Sequence, residues 1–420
     1  MRTYRELFRT PEFLPFFTTV SVQVAAQTAT GLALGTLVYT STGSPLLSAL
    51  AMFGPSLAQV TGALTLLSAA DRLPPRATLT GLALLYALGT GVQAVPGLPL
   101  GAAFAVLLAL GVASSLGGGV RYGLLNEILP RHGFLLGRSV LNMSVGTMQI
   151  AGFAVGGVLV TALSARGTLL VGAGLYVVAA ALARFGLTAR PPRATGRASV
   201  RETWRTNALL WSSAPRRSVY LALWVPNGLV VGCESLYIAY APEHAGLLFA
   251  CGALGMLAGD TLVGRFVPGR WRARLGAPLR LLLAAPYLLF ALDPGVPVAV
   301  VAVVLASVGF SASLLLQERL MALTPEELSG HALGLSSSGM LAMQGVGAAV
   351  AGSVAQLTSP GTGMAAVAAL SLAVTVALAP GLRAGRGPEA AAGRLQGDGS
   401  PDGSPDAPPR TKETKETTTS

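Results

Sequence analysis

Stretches of about 20 apolar residues, the length a helix needs to cross the hydrocarbon layer of a bilayer, recur along almost the whole chain. Gly, Pro and short clusters of charge separate them. Read this way, the pattern predicts helices over residues 13–40, 46–69, 77–95, 99–127, 138–164 and 168–187. After a polar interval it predicts six more, over 218–241, 246–266, 277–292, 296–320, 331–355 and 362–380. The expectation is an all-α integral membrane protein with twelve transmembrane helices in two sets of six. Its parts would be a first bundle over 1–187, a linker over 188–217, a second bundle over 218–383 and a tail over 384–420. The tail runs through GDGSPDGSPDAPP into TKETKETTTS, a composition unable to form a core, and reads as disordered.

Composition supports lipid as the solvent. Of the 420 residues 52% are hydrophobic and only 11% charged, where soluble domains carry roughly a quarter charged residues; the mean hydropathy is +0.61. The net charge of +11 raises the question of nucleic acid, but the basic residues sit in short clusters between apolar runs, such as Arg270, Arg272 and Arg274, and gather on no single face. They act as topology signals instead. If the chain starts inside, the outer turns (41–45, 96–98, 164–167, 242–245, 293–295 and 356–361) hold one basic residue, Arg166, of the 29 in the chain. The positive-inside rule then places both termini in the cytoplasm and the protein in the cytoplasmic membrane. The linker carries Arg190, Arg193, Arg197, Arg201, Arg205, Arg216 and Arg217 and predicts a short amphipathic helix near 200–210 lying among the headgroups. Cys233 and Cys251 both fall inside apolar runs and read as packing residues.

The two sets of six repeat one another. MQIAGFAVGG at 148–157 and MQGVGAAVAG at 343–352 are offset by 195 residues, as are Pro130 and Pro325. Parallel duplication of a six-helix unit is a transporter architecture, with the binding site at the midplane between near-rigid halves. Small residues four apart, such as Gly152 and Gly156 or Gly228 and Gly232, let helix backbones approach and slide.

Two motifs carry a resemblance to the major facilitator superfamily, over roughly residues 10–382. LSAADRLPPR resembles the family's G-x-L-A-D-R-x-G-R-R loop after the second helix and keeps Asp71, Arg72 and Arg76, with Leu67 and Pro74 in place of the two glycines. GMLAGDTLVGR is its counterpart in the second half and keeps Asp260 and Arg265. The resemblance implies that these charges latch the cytoplasmic faces together and release during the conformational cycle. The second motif is the fifth-helix signature G-P-x-x-G-G of exporter branches, matched by Gly152, Phe153, Ala154, Val155, Gly156 and Gly157 with the proline missing; Gly352 is the repeat counterpart of Gly157. The overall pattern is most similar to actinobacterial drug and natural-product exporters. It implies the major facilitator fold, a monomer, and alternating access.

Candidate transport residues follow from the cost of polar groups in lipid. A charge in the bilayer costs about 2.5–3.5 kcal/mol on insertion scales and is by default functional. Glu234 in the seventh run reads equally as a carboxylate that picks up and releases protons and as a Glu near the outer interface hydrogen-bonded to Tyr237 or a backbone carbonyl, and Asn227 points to nearly the same face. Arg121 and Glu127, near the inner end of the fourth run, read as partners at the cytoplasmic gate. The amides Gln23, Gln27, Asn142, Gln149 and Gln344 are read as contributing together to a binding site, since they can hydrogen-bond a substrate as well as stitch helices. The chain lacks the Gly-Lys core of a P-loop, a zinc-binding HExxH and a nucleophile elbow. No enzyme, cofactor or metal is expected. The partners expected are a small-molecule substrate, protons and the bilayer. The function read here is proton-coupled efflux of a small hydrophobic drug or secondary metabolite; the other readings are a symporter importing a polar nutrient and a scaffold that has kept the fold.

Overall fold

The computed structural model describes residues 4–70, 73–129, 133–192, 200–325 and 328–384. A short α1 (Tyr4–Arg9) leads into α2 (Phe13–Thr42), α3 (Pro45–Ala70), α4 (Pro75–Gln93), α5 (Leu100–Ile128) and the long α6 (Phe134–Gly186). A break at Ser164, with φ 72 and ψ 166, splits α6 into two antiparallel arms at the expected turn. Beyond the interhelical segment come α7 (Val200–Ser212), α8 (Ala214–Ser235), α9 (Tyr237–Tyr240), α10 (Ala245–Thr261), α11 (Gly269–Leu282), α12 (Val296–Gly309), α13 (Ala312–Ala322), α14 (Ser329–Leu357) and α15 (Pro360–Ala384). Among the described residues there is no strand.

Nine of the helical stretches are long and apolar enough to cross a membrane by length and composition, among the described residues. One of them, Leu136–Gly186, is the two-armed α6 and supplies two spans. The remaining two are α2, diluted by its Thr and Gln residues, and the 19-residue α4. Together they make the twelve expected spans.

The later spans are less regular than their hydropathy suggests. The ninth begins at Gly269, earlier than the apolar run, and leaves α-geometry after Leu282, continuing as a 3₁₀ stretch over Ala285–Leu292. Pro286 explains the change, because it has no N–H to give the carbonyl one turn back. The tenth span breaks between Gly309 and Ala312, and Gly309 packs directly on the backbone of Leu283, so the two interruptions support each other. The linker helix lies where the arginine pattern puts it. Trp211 of α7 stacks on Trp224 of α8 at 5.4 Å, and Trp204 and Leu209 stay exposed. The tail lies outside the described residues.

Each half is held by its own glycine contacts. In the first, Gly152 and Gly156 of α6 meet Thr28 and Ala29 of α2, and Gly172 meets Thr30. In the second, Gly228 and Gly232 of α8 meet Met343 and Gly347 of α14. The halves then meet through α3 with α14 and α6 with α10, and these contacts gather at the end away from the chain termini. Gly157 lies on Gly246, Phe153 stacks on Phe249 with ring centroids 4.7 Å apart, Gly352 lies on Leu46 and Ala49, and Ser44 donates to Gln356 at 2.7 Å. Towards the terminal end the same helix faces become exposed.

Candidate functional site

The gap between the halves can be traced along single helix faces. On α2, a Cβ at Gly35 would meet Ile238 of the other half at 2.7 Å, whereas Gly31, one turn nearer the termini, meets nothing within 4 Å and Gln27, one turn further, is exposed. Gln23 continues the stripe but is buried, 5% exposed. On α6 the order repeats: Gly157 and Phe153 touch α10, then Gln149 is exposed, Gly146 has open space beside it and Asn142 is exposed. A surface that seals the halves together at one end therefore lines the space between them at the other.

The repeat places Gln149 and Gln344 equivalently. Gln149 projects between the positions of α6 that meet α2 in its own half and those that meet α10 across the gap; Gln344 projects between the positions of α14 that meet α8 and those that meet α3. Both amides thus face the central space. Asn227 does not: it is 2% exposed, and its amide donates to Leu223 O and to Ser313 Oγ at 3.1 Å, tying the seventh span to the tenth. An apolar groove of about 310 Å³ is lined by Phe8, Phe17, Met143 and Met148 among others.

Glu234 of α8 shares a stripe with Asn227 and, past the break at Leu236, with Ile238 of α9, the residue that closes on Gly35. It sits one turn beneath that contact and is half-buried. The hydroxyls of Tyr237 and Tyr287 are hydrogen-bonded to each other and lie within electrostatic reach of the Glu234 carboxylate. Among the described residues no cation and no hydrogen-bond donor pairs with that carboxylate. Tyr237 also stands edge-on to Phe249 at 4.8 Å. Cys233 beside it is buried and its thiol donates to Met364 O, a packing role.

The charges assigned to the terminal-end gate are dispersed. Asp71 and Arg72 lie outside the described residues. Arg76 donates to Leu187 O at 3.4 Å, within its own half. Arg121 has Tyr86 of α4, Tyr122 of its own helix and Tyr176 of α6 within electrostatic reach, and its Nε is without a hydrogen-bond partner among the described residues. Asp260, half-buried on α10, and the exposed Arg265 are not paired with each other. Glu127 is engaged by Arg190, whose Nε lies 3.5 Å away.

Arg190 is the centre of a clamp that hydropathy does not reveal. Its guanidinium donates to Glu12 at 2.7 Å, and Thr188 donates to the other Glu12 oxygen at 2.6 Å. Glu12 holds a left-handed backbone, φ 68, at the entry to α2. Burial acts to raise its carboxyl, but the hydrogen bonds from Thr188 and Arg190 and the Arg190 charge outweigh it and leave the group below its usual range. The clamp joins the start of α2, the end of α5 and the chain leaving α6. Apart from the run of arginines after 187, the sequence gives no signal for it.

Two six-helix halves joined at one end, parted at the other and lined with amides in between are a secondary transporter that works by exposing one site to each side in turn. The chain belongs to the Major Facilitator Superfamily, whose sequence model matches residues 16–317. Solved structures with the same fold include a POT family transporter in complex with a thioalcohol-conjugated peptide (TM-score 0.68, 12% identity, covering 87% of this chain and 95% of that one). The nucleoside transporter NupG (TM-score 0.68, 13% identity, 88% and 99%) is another. A third is a bacterial homologue of the human lysosomal transporter Spinster in an inward-facing, unoccupied conformation (TM-score 0.64, 14% identity, 91% and 93%). No curated protein sequence matches the chain.

Proposed function

We propose that the protein exports a small hydrophobic drug or secondary metabolite in exchange for protons, from a cytoplasmic membrane in which both termini face the cytoplasm. With that orientation the open end faces inward. The observation that carries the reading is Glu234: a half-buried carboxylate with no cation partner among the described residues, one turn beneath the Ile238–Gly35 contact of the seal. Such a group is the natural proton carrier in a pathway otherwise furnished with neutral amides. The glycines of the exporter-like signature support it: Gly152 and Gly156 pack the fifth span on α2 within the first half, and Gly157 lies on Gly246 at the contact between the halves that must part during rocking. Phe153, in the place of the missing proline, supplies the aromatic stack across the seal.

The four amides Gln27, Asn142, Gln149 and Gln344 favour a second reading, import of a polar nutrient together with protons. The POT and nucleoside transporters take polar cargo by their descriptions, but at 12% and 13% identity they speak for the fold alone. Everted vesicles from cells expressing the chain separate the two. With the lumen acidified and followed by acridine orange, an exporter releases luminal protons when a cationic hydrophobic dye such as ethidium is added, and Glu234→Gln abolishes the response. Failure across a broad panel of hydrophobic compounds, together with alkalinisation of the medium by intact cells given a polar solute, overturns export in favour of import.

A further inference from the structure

We propose that the corner where α7 turns into α8 binds the headgroup phosphate of an anionic phospholipid, and that the bound lipid braces the terminal end of the second half. Such a site goes beyond the export reading and is independent of cargo and coupling.

Charge and apolar surface meet at this corner. The polar helix α7, 13 residues long, buries Leu210 completely in the terminal-end core of the second half, with Tyr220, Leu223, Leu316 and Leu320. On the arc opposite Leu210 stand Trp204, 59% exposed, Leu209, 55% exposed, and the exposed Arg205. Arg217 is exposed in the first turn of α8, and beside it Arg216 donates to Leu209 O at 3.1 Å, closing the end of α7 onto α8. None of the three guanidiniums has a carboxylate partner among the described residues. The corner lies at the start of the seventh span, Ala214–Tyr240, and so at the level where hydrocarbon gives way to headgroups. A soluble anion would answer the three arginines and leave Trp204 and Leu209 in water. A phospholipid answers both, with its phosphate on the guanidiniums and its upper chain against the apolar side chains, the pairing that gathers Trp and Arg at membrane interfaces.

What the bound lipid does follows from Trp211. Its ring stacks on Trp224 at 5.4 Å, 8° from parallel, and Trp224 in turn covers Gly339 of α14 and donates through Nε1 to Ser336 O at 2.9 Å. The hydroxyl of Tyr220, part of the same aromatic cluster, donates to Ala332 O at 3.4 Å. Ser336 and Gly339 lie on the helix that carries Gln344 towards the central space and Gly352 to the seal. Held at the headgroups on one side and stacked on Trp224 on the other, α7 ties α8 to α14 at the end where the halves are parted. The first half has its counterpart in the clamp of Glu12, Arg190 and Glu127, which is built from the chain's own charges. The second half takes the anion from the bilayer.

Nanodiscs holding the full chain in phosphatidylcholine, alone or mixed with phosphatidylglycerol, test the site and the brace separately. Phosphatidylglycerol is expected to raise the melting temperature by several degrees, and glycerol phosphate added to the phosphatidylcholine discs is expected to leave it unchanged. Arg205→Gln combined with Arg217→Gln should melt like the unsubstituted chain in phosphatidylcholine and lose most of the rise. Arg166→Gln, which removes an exposed charge at the opposite end, should keep it. In mixed discs and a Trp271→Phe background, brominating the acyl chains of phosphatidylglycerol should quench tryptophan fluorescence several-fold more than brominating an equal number of phosphatidylcholine molecules, and Trp204→Phe should remove most of that difference. Trp211→Leu should keep the difference in quenching and lose the rise in melting temperature. The lipid site is overturned by equal melting in the two lipids, by a rise that survives the double arginine variant, is lost in Arg166→Gln or is reproduced by glycerol phosphate, or by equal quenching from the two brominated lipids. A rise that survives Trp211→Leu overturns the brace and leaves the site.

Discussion

The two ends of the molecule are held by different physics. At the sealed end the halves touch through glycines, aromatic rings and two hydrogen bonds, Ser44 to the Gln356 amide and Tyr39 to the Ala239 carbonyl; at the terminal end the first half is braced by Glu12, Arg190 and Glu127, within itself and not across the gap. Small-residue contacts have no preferred partner charge and depend on fit, so they can part and re-form as rigid bodies rock. The clamp does the opposite work: it fixes the relation of α2, α5 and the exit from α6 so that the half moves as one unit. The seal is thus the moving joint and the clamp part of a rigid arm.

That contrast can be broken most severely at Gly157. A side chain there meets the Gly246 backbone at 2.9 Å, with no flexible atom to yield, so Gly157→Leu is expected to lower transport more than tenfold, about 1.4 kcal/mol or more on the closed state. The protein should remain monodisperse on size exclusion, and cross-linking between positions 44 and 356 should fall in parallel.

Next in size is the loss of the facing amides. Gln149→Ala with Gln344→Ala removes two groups each worth about 1 kcal/mol or less in a bilayer, so the substrate concentration for half-maximal transport should rise several-fold while the seal still cross-links. A drop in thermal stability with unchanged half-saturation would instead make both residues helix stitches.

The smallest effect is expected at the clamp. Its groups are partly exposed, 24% for Arg190 and 15% for Glu12, and such pairs contribute about 0.2–1 kcal/mol. Glu12→Gln should lower the melting temperature slightly and leave the seal unchanged. The pH dependence has a definite sign. A carboxyl held below its ordinary value of 4.5 contributes stability that is present above that value and lost as pH falls through the lower, folded one. The difference in stability between wild type and Glu12→Gln should therefore vanish in acid; a difference that grows on acidification would contradict the clamp.

Apolar runs punctuated by Gly, Pro and charge placed the spans, because each must be largely apolar over the bilayer thickness whatever it packs against, although α2 and α4 fall short on hydropathy alone. The repeat at 148–157 and 343–352 likewise foretold that Gln149 and Gln344 occupy equivalent positions, since duplication preserves the helix face. The site was legible only in part. Glu234 stood out by its cost in lipid, but its place beneath Ile238 and beside the two tyrosines depends on how α8, α10 and the ninth span cross. Asn227, on nearly the same face, is used up by Ser313, and Arg121 comes within reach of the tyrosines of α4 and α6, outcomes that depend on rotations of whole helices that no local pattern encodes.

Composition and periodicity thus determined the solvent, the number of spans and the duplication, because these are properties of each segment taken singly. The tertiary structure decided which faces meet: that Phe153 answers Phe249, that Glu12 finds Arg190 across 178 residues of chain, and that one end is shut and the other open. These are relations between segments far apart in sequence, set by which surfaces pack most closely.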